Sequence, residues 1–154
     1  VQIGEGDWAF TPKADGIHAK GILNLGKNEI EPFEVSPPSQ YFKVYYEEIK
    51  GYPPIIFNVY REDINHMDSF ERMEWFYRQI GEEMPQYEDW INQKNLNKNT
   101  RWILKPIFRI RSPENALKAM TGDYESPFPN DGWILINLKT EFFYKVKPRS
   151  HITA

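Results

Sequence analysis

The sequence contains no cysteine, so disulfide bonds are excluded and cysteine usage gives no indication of the cellular compartment. It also lacks a basic excess, because 19 lysines and arginines stand against 22 aspartates and glutamates. Nucleic-acid-binding domains usually carry a surplus of positive charge, so any contact with RNA must use a local patch or a partner domain. Long apolar runs are also absent, and we therefore expect neither a membrane span nor a signal peptide.

The composition indicates one folded domain. The chain has 154 residues, of which 40% are hydrophobic and 16% aromatic, enough for a real core and too apolar for a disordered segment. The segments with strand-like patterns lie before and after a few helical ones, without regular βαβ alternation. The sequence therefore predicts an α+β fold with mainly antiparallel sheets and a few flanking helices.

The element boundaries follow from periodicity, caps and turn residues. Strands are predicted at 8–25 (two strands joined through a turn), 41–49, 55–60, 101–110 (interrupted by Pro106), 133–138 and 141–146, the last two as a hairpin. Helices are predicted from Asp68 or Ser69 to about Ile80, at 85–95, and from Ser112 to near Gly122. Loops are predicted at 34–39 and 92–100.

Three short motifs stand out. They are Lys13 to Gly16 in FTPKADGIHAKG, Asp131-Gly132 in PFPNDGWILI, and Lys145 to Lys147 in FFYKVKP. Alone, each has a plain explanation: a solvated turn lysine with Gly16 allowing an unusual backbone, a hairpin-turn dipeptide, and a solvated strand face. Their occurrence together and in this order favours one shared site instead.

The ordered set resembles the nucleotidyltransferase core shared by mRNA capping enzymes (guanylyltransferases) and ATP-dependent polynucleotide ligases, an ATP-grasp-like ligase and capping fold. The matching segments are Lys13–Gly16 (motif I), Glu48 in VYYEEI (motif III), 55–60 (motif IIIa), Asp131–Leu135 (motif IV) and Lys145–Lys147 (motif V). The resemblance runs from Trp8 to Thr153 and implies one nucleotidyltransferase domain over 1–154. Motif VI and its C-terminal OB-fold domain are absent from this chain. The chain begins with Val1 and stops after HITA, so we expect it to be a piece of a larger protein.

The resemblance implies covalent chemistry at Lys13. Its amine would attack the α-phosphate of a nucleoside triphosphate, giving a lysyl-N–NMP adduct and pyrophosphate, and the NMP would then pass to an RNA or DNA 5′ end. A lysine is a poor nucleophile while protonated, and a nearby cation favours the neutral amine. Lys145 and Lys147 are two residues apart and share one strand face, where they could supply that field and bridge the α-phosphate oxygens.

Further residues receive binding roles from the same resemblance. Phe57 would stack on the purine, Glu48 would lie near the ribose and the metal, and Asp131 would hold Mg²⁺ or Mn²⁺ through hard oxygen ligands. The remaining residues of the implied nucleotide site are Asp15, Gly16, His18 and Gly132. Glu47 is interpreted as an exposed strand carboxylate. The three histidines are scattered along the chain and do not suggest a zinc site.

The sequence departs from the family pattern at several positions. Tyr46 and Glu47 replace the Asp-Gly that precedes the motif III glutamate, Asn58 replaces the motif IIIa aspartate, and His18 stands where an arginine contacts the ribose. These changes affect positions that contact the ribose in the family. They indicate a divergent branch and suggest a viral-type capping enzyme.

Several features favour capping over ligation. Motif IV begins with Asp131, and Pro148 follows motif V. DSFERM (68–73) and LKPIFRI (104–110) resemble the F-x-x-R and K-P-x-F stretches of guanylyltransferases.

The primary prediction is an mRNA guanylyltransferase that forms lysyl-GMP from GTP and transfers GMP to a 5′-diphosphate RNA end. One alternative is an ATP-dependent RNA or DNA ligase that forms lysyl-AMP. Another is a catalytically decayed nucleotide- or RNA-binding module. The expected partners are GTP, the RNA 5′ end, and triphosphatase, methyltransferase and OB-fold modules in the same or a partner chain. The expected location is intracellular, either cytoplasmic (viral factory or virion) or nuclear.

Overall fold

The computed structural model describes residues 7–32, 41–92, 101–122 and 126–147. These residues form two β-sheets and three helices, joined by turns and loops. The strands in chain order are β1 Trp8–Ala14, β2 Ile17–Asn24, β3 Glu29–Pro32, β4 Tyr41–Glu48, β5 Ile55–Tyr60, β6 Ile103–Leu104, β7 Phe108–Arg109, β8 Asn130–Asn137 and β9 Phe143–Val146. The helices are α1 Ser69–Gln79, α2 Tyr87–Asn92 and α3 Pro113–Thr121. The predicted loop at 34–39, nearly all of that at 92–100, and Pro148 lie outside the described residues.

The sheets are mostly antiparallel. One has the strand order β7-β1-β8-β9, and the other has the order β3-β2-β4-β5-β6, in which β5 and β6 are parallel. The predicted α+β class with antiparallel sheets and few helices is therefore confirmed. None of the described helices has the length and apolar character needed to cross a membrane.

The motif I turn connects the two sheets. β1 and β2 are consecutive in the chain but do not pair: β1 lies between β7 and β8, whereas β2 lies between β3 and β4. The prediction that Gly16 supplies an unusual backbone conformation is wrong, because its φ is not positive. It is needed for close approach instead, since an added Cβ would lie 2.5 Å from the Glu48 carbonyl oxygen.

The predicted helix starts are confirmed. The Asp68 carboxylate accepts a hydrogen bond from the Glu71 amide at 2.8 Å, and Ser112 caps α3 in the same way at 3.3 Å. Such caps satisfy amides that have no partner within the helix. α1 then buries Phe76 against Phe42 of β4, with ring centroids 5.1 Å apart, which packs the helix onto the five-stranded sheet.

The predicted strand at 101–110 is two short strands in different sheets. β6 pairs with β5, and β7 pairs with β1, with Pro106 between them. The Thr11 hydroxyl donates to the Pro106 carbonyl at 2.7 Å, which ties this crossover to β1. β3, which the sequence did not predict, forms the other edge of the five-stranded sheet. The crossover places Lys105 beside residues of both sheets.

Candidate functional site

Lys13 and Lys147 converge on one carboxylate, that of Asp131. Lys13 Nζ lies 3.7 Å from Asp131 Oδ2, and the Lys147 ammonium forms an ion pair with the same oxygen. The hydrogen bond from Lys147, followed by the charges of Lys147 and Lys13, holds the pKa of Asp131 below its usual value. β1, β8 and β9 are neighbours in the four-stranded sheet, so motifs I, IV and V meet in space.

Gly132 allows this convergence. Asp131 and Gly132 lie inside β8, so the alternative interpretation as a hairpin turn is wrong. The φ of Gly132 is +91°, a region that favours glycine, and an added Cβ would collide with the Val146 carbonyl oxygen. Glycine at this position lets the end of β9 approach β8 closely enough for Lys147 to reach Asp131.

Phe57 contributes an aromatic surface from the other sheet. The β4–β5 register shifts so that Tyr45 pairs with Asn58 and Tyr46 with Ile56, which leaves Phe57 as the extra residue of a β-bulge. Its ring lies 5.0 Å from the His18 ring and is only partly buried. Phe57 thus lies at the bulge, outside the two buried core clusters and next to His18.

The acidic residue next to Phe57 and His18 is Glu47. His18 and Glu47 are paired across β2 and β4, and His18 Nε2 lies 2.6 Å from Glu47 Oε1. The prediction that Glu47 is an exposed carboxylate is wrong, because the residue is only 4% exposed. Its second oxygen, Oε2, is buried and accepts no hydrogen bond from a described residue.

Sequence patterns did not assign Lys105 to the site, although it lies in the segment LKPIFRI (104–110), which resembles the K-P-x-F stretch of guanylyltransferases. It is 4% exposed, and its Nζ lies 5.2 Å from the centroid of the Phe57 ring. Burial, followed by the charge of Lys13, lowers the pKa of Lys105 to about 8, although Glu47 opposes the shift. No hydrogen bond or ion pair to its ammonium occurs in the described part of the chain.

Other predicted site residues lie apart from this group. Glu48 is exposed, and its side chain forms no ion pair with a described residue. Lys145 is exposed on the edge strand β9 and likewise has no described ion-pair partner. Asp15 and Gly16 are exposed at the turn, where the Asp15 amide donates to the Pro129 carbonyl at 2.9 Å. Their predicted roles remain predictions.

The donor set suits a metal only in part. No group of three or more His, Asp or Glu side chains that could hold an ion occurs within the described ranges. Mg²⁺ often binds through one or two carboxylates together with substrate phosphates, and Asp131 fits that arrangement. Of the two predicted metal ligands, Asp131 lies in the group with Lys13 and Lys147, so it is the residue that would hold Mg²⁺ or Mn²⁺.

A separate cavity lies on the other side of β7. Its volume is about 180 Å³, and it lies between α1, α2 and α3, lined by Phe70, Tyr87, Arg109, Ile110 and Asn115 among others. None of the predicted site residues lines it. Charged groups converge around Lys13 and Lys105 instead, so we take the space between these two lysines, Phe57, Glu47 and Asp131 as the candidate site and call it the cleft.

Comparison with known proteins adds no relative. No family model matches the chain, and no curated protein matches it. The geometry of the cleft, to which both sheets contribute residues, is therefore the basis for a functional assignment.

Proposed function

We propose that the chain is a nucleotidyltransferase core that forms a covalent lysyl-nucleotide at Lys13, with GTP as its substrate and the 5′-diphosphate end of RNA as its acceptor. One observation carries the proposal. Three lysines from separate strands and loops, Lys13, Lys105 and Lys147, are gathered beside an aromatic surface and a carboxylate. A cation-rich cleft with an aromatic wall suits the triphosphate and the base of one nucleotide.

The chemical step is a displacement at phosphorus. The Lys13 amine forms an N–P bond to the α-phosphorus, the bond to the bridging oxygen breaks, and pyrophosphate leaves with the electron pair while the amine releases a proton to solvent. Lys147 would stabilise charge on the α-phosphate oxygens. A divalent cation beside Asp131 would neutralise phosphate charge when bound. An oxygen of the RNA diphosphate then forms a bond to the same phosphorus, while the N–P bond breaks and the Lys13 nitrogen leaves with the electron pair and takes up a proton from solvent.

The Lys105 side chain is expected to favour the binding of guanine over adenine. With a pKa of about 8, its side chain is mainly an ammonium at neutral pH and can only donate hydrogen bonds. Guanine offers two acceptors, O6 and N7, on the edge where adenine has an amino donor at the corresponding position. A base stacked on Phe57 would bring that edge within reach of the Lys105 ammonium. This contact favours GTP and capping over ATP and ligation.

The test is the mass of the intact protein after incubation with Mg²⁺ and either GTP or ATP. We expect a GMP increment on the natural chain, none on Lys13→Ala, and an unchanged increment on Lys118→Ala, because Lys118 is exposed on α3. An AMP increment would move the assignment to a ligase. An adduct that survives in Lys13→Ala would exclude Lys13 as the nucleophile.

A further inference from the structure

The edge strand β9 exposes large apolar side chains that the core does not use. Phe142 is 69% and Phe143 60% exposed, and neither belongs to the two buried clusters. Among the described strands, β9 lies at the end of the four-stranded sheet. Two adjacent aromatic rings in water are costly unless a ligand covers them, so the strand has the character of an interaction surface.

Two lysines follow the aromatic residues along the chain. Phe143 and Lys145 are two residues apart and lie on one face of β9, and Lys147 continues that spacing at the strand end. Lys145 is exposed and has no ion pair with a described residue, whereas Lys147 reaches Asp131. Aromatic rings next to a cation such as Lys145 are the features with which proteins bind single-stranded nucleic acid, by stacking and by charge.

This face is continuous with the candidate site. In the β8–β9 ladder, Phe143 pairs with Ile136 and Lys145 with Ile134, and Ile134 in turn pairs with Thr11 of β1. The row of residues therefore runs from the exposed rings to Lys147, whose ammonium shares Asp131 with Lys13. A polynucleotide bound along β9 would have its end at the reactive Lys13.

We propose that the face of β9 with Phe143 and Lys145, together with the exposed Phe142 directly before the strand, is a platform for a single-stranded polynucleotide whose 5′ end enters the Lys13 cleft. In the proposed function, on which this inference rests, that polynucleotide is the acceptor RNA. The charge of the platform is complementary to phosphate, and the two rings offer stacking surfaces that do not select a base. The platform would explain how a chain with a net charge of −3 binds RNA.

The test is fluorescence anisotropy with a 5′-labelled single-stranded RNA of about 20 nucleotides at low salt. We expect the double variant Phe142→Ala/Phe143→Ala to bind about 30-fold more weakly, which is the loss of two stacked bases at the lower end of the usual range. Phe142→Tyr/Phe143→Tyr should retain binding because the rings remain. Tyr52→Ala, which removes an exposed aromatic ring from the turn after β4, should have no effect.

Two outcomes would overturn the platform: RNA binding that is absent from the natural chain, or binding that is equally tight in the double alanine variant. A dimer in sedimentation experiments that the double alanine variant dissociates would also overturn it, since the face would then be an interface between two copies. The lysyl-nucleotide adduct forms without RNA, so the double variant should keep it. Loss of RNA binding with no adduct in any variant would retain the platform and reject the transferase.

Discussion

Two regions of the molecule each bury a cation, and they treat it differently. Beneath α1, Arg72 is 4% exposed and donates to the Met67 carbonyl, the Asn58 side chain and the Ser69 hydroxyl. In the cleft, Lys105 is equally buried but has no hydrogen bond or ion pair to a described residue. A cation with fixed acceptors stabilises the fold, whereas one without them costs stability and leaves donors for a ligand.

Removal of the Arg72 charge should therefore have the largest effect on stability. Arg72→Met leaves the Met67 carbonyl and the Asn58 side-chain oxygen without this donor and removes the contact with the Tyr60 ring, 4.5 Å from the guanidinium carbon. Each hydrogen bond to a charged group contributes about 1.5 to 3 kcal/mol, so we expect the free energy of unfolding to fall by about 4 kcal/mol. Urea unfolding at pH 7 measures the change.

The matched control lies on the same helix. Arg78 is exposed in the last turn of α1, where it forms a surface ion pair with Glu74 at 3.4 Å. Arg78→Met should change the free energy of unfolding by less than about 0.5 kcal/mol. If the two substitutions lowered the free energy of unfolding equally, the buried hydrogen bonds of Arg72 would contribute no more stability than the surface ion pair of Arg78.

Removal of the Lys105 charge should have the opposite sign. Its pKa is lowered from 10.5 to about 8 in the folded state, so the charged form is disfavoured by folding. Below pH 8 the ammonium destabilises the fold by about 3 kcal/mol, and this cost disappears as the pH rises from 8 to 10.5. We expect Lys105→Met to raise the free energy of unfolding at pH 7 by up to this amount and to have almost no effect near pH 10.5.

The same variant should lose function while it gains stability. Without the Lys105 ammonium, we expect the yield of the GMP adduct from GTP to fall while the free energy of unfolding rises. Such a trade-off between activity and stability is common at functional sites. Lys118→Met removes an exposed lysine of α3 and is the control for both readouts. A Lys105→Met variant that is less stable than the natural chain at pH 7 would show that the lysine is structural.

The parts of the fold that depend on neighbouring residues in the chain were readable from the sequence. The caps at Asp68 and Ser112 and the strand at 55–60 depend on local chemistry, and the structure has them at the predicted places. The convergence of motifs I, IV and V was suggested by their order alone. It could not be derived from local patterns, because it needs β1, β8 and β9 to be neighbours.

The parts of the fold and the site that depend on tertiary packing could not be predicted from the sequence. Lys105 lies in a two-strand crossover whose halves join different sheets, and nothing local indicates that its side chain is buried in a cleft. Phe57 faces the cleft because of a bulge that only the pairing of β4 with β5 defines. Which of Glu47 and Glu48 is buried depends on what packs against each face of β4. Whether the buried residue is the one that supports ligand binding can be tested directly.

Glu47→Gln and Glu48→Gln remove the same charge from adjacent residues, one buried and one exposed. Glu47 holds His18 beside Phe57, so Glu47→Gln should weaken GTP binding about tenfold, which corresponds to about 1.4 kcal/mol. Glu48→Gln should stay within about twofold of the natural chain. Displacement of a fluorescent GTP analogue measures both. If Glu47 acted only through its charge, its neutralisation would strengthen the binding of the anionic triphosphate, so tighter binding by Glu47→Gln would contradict a positioning role.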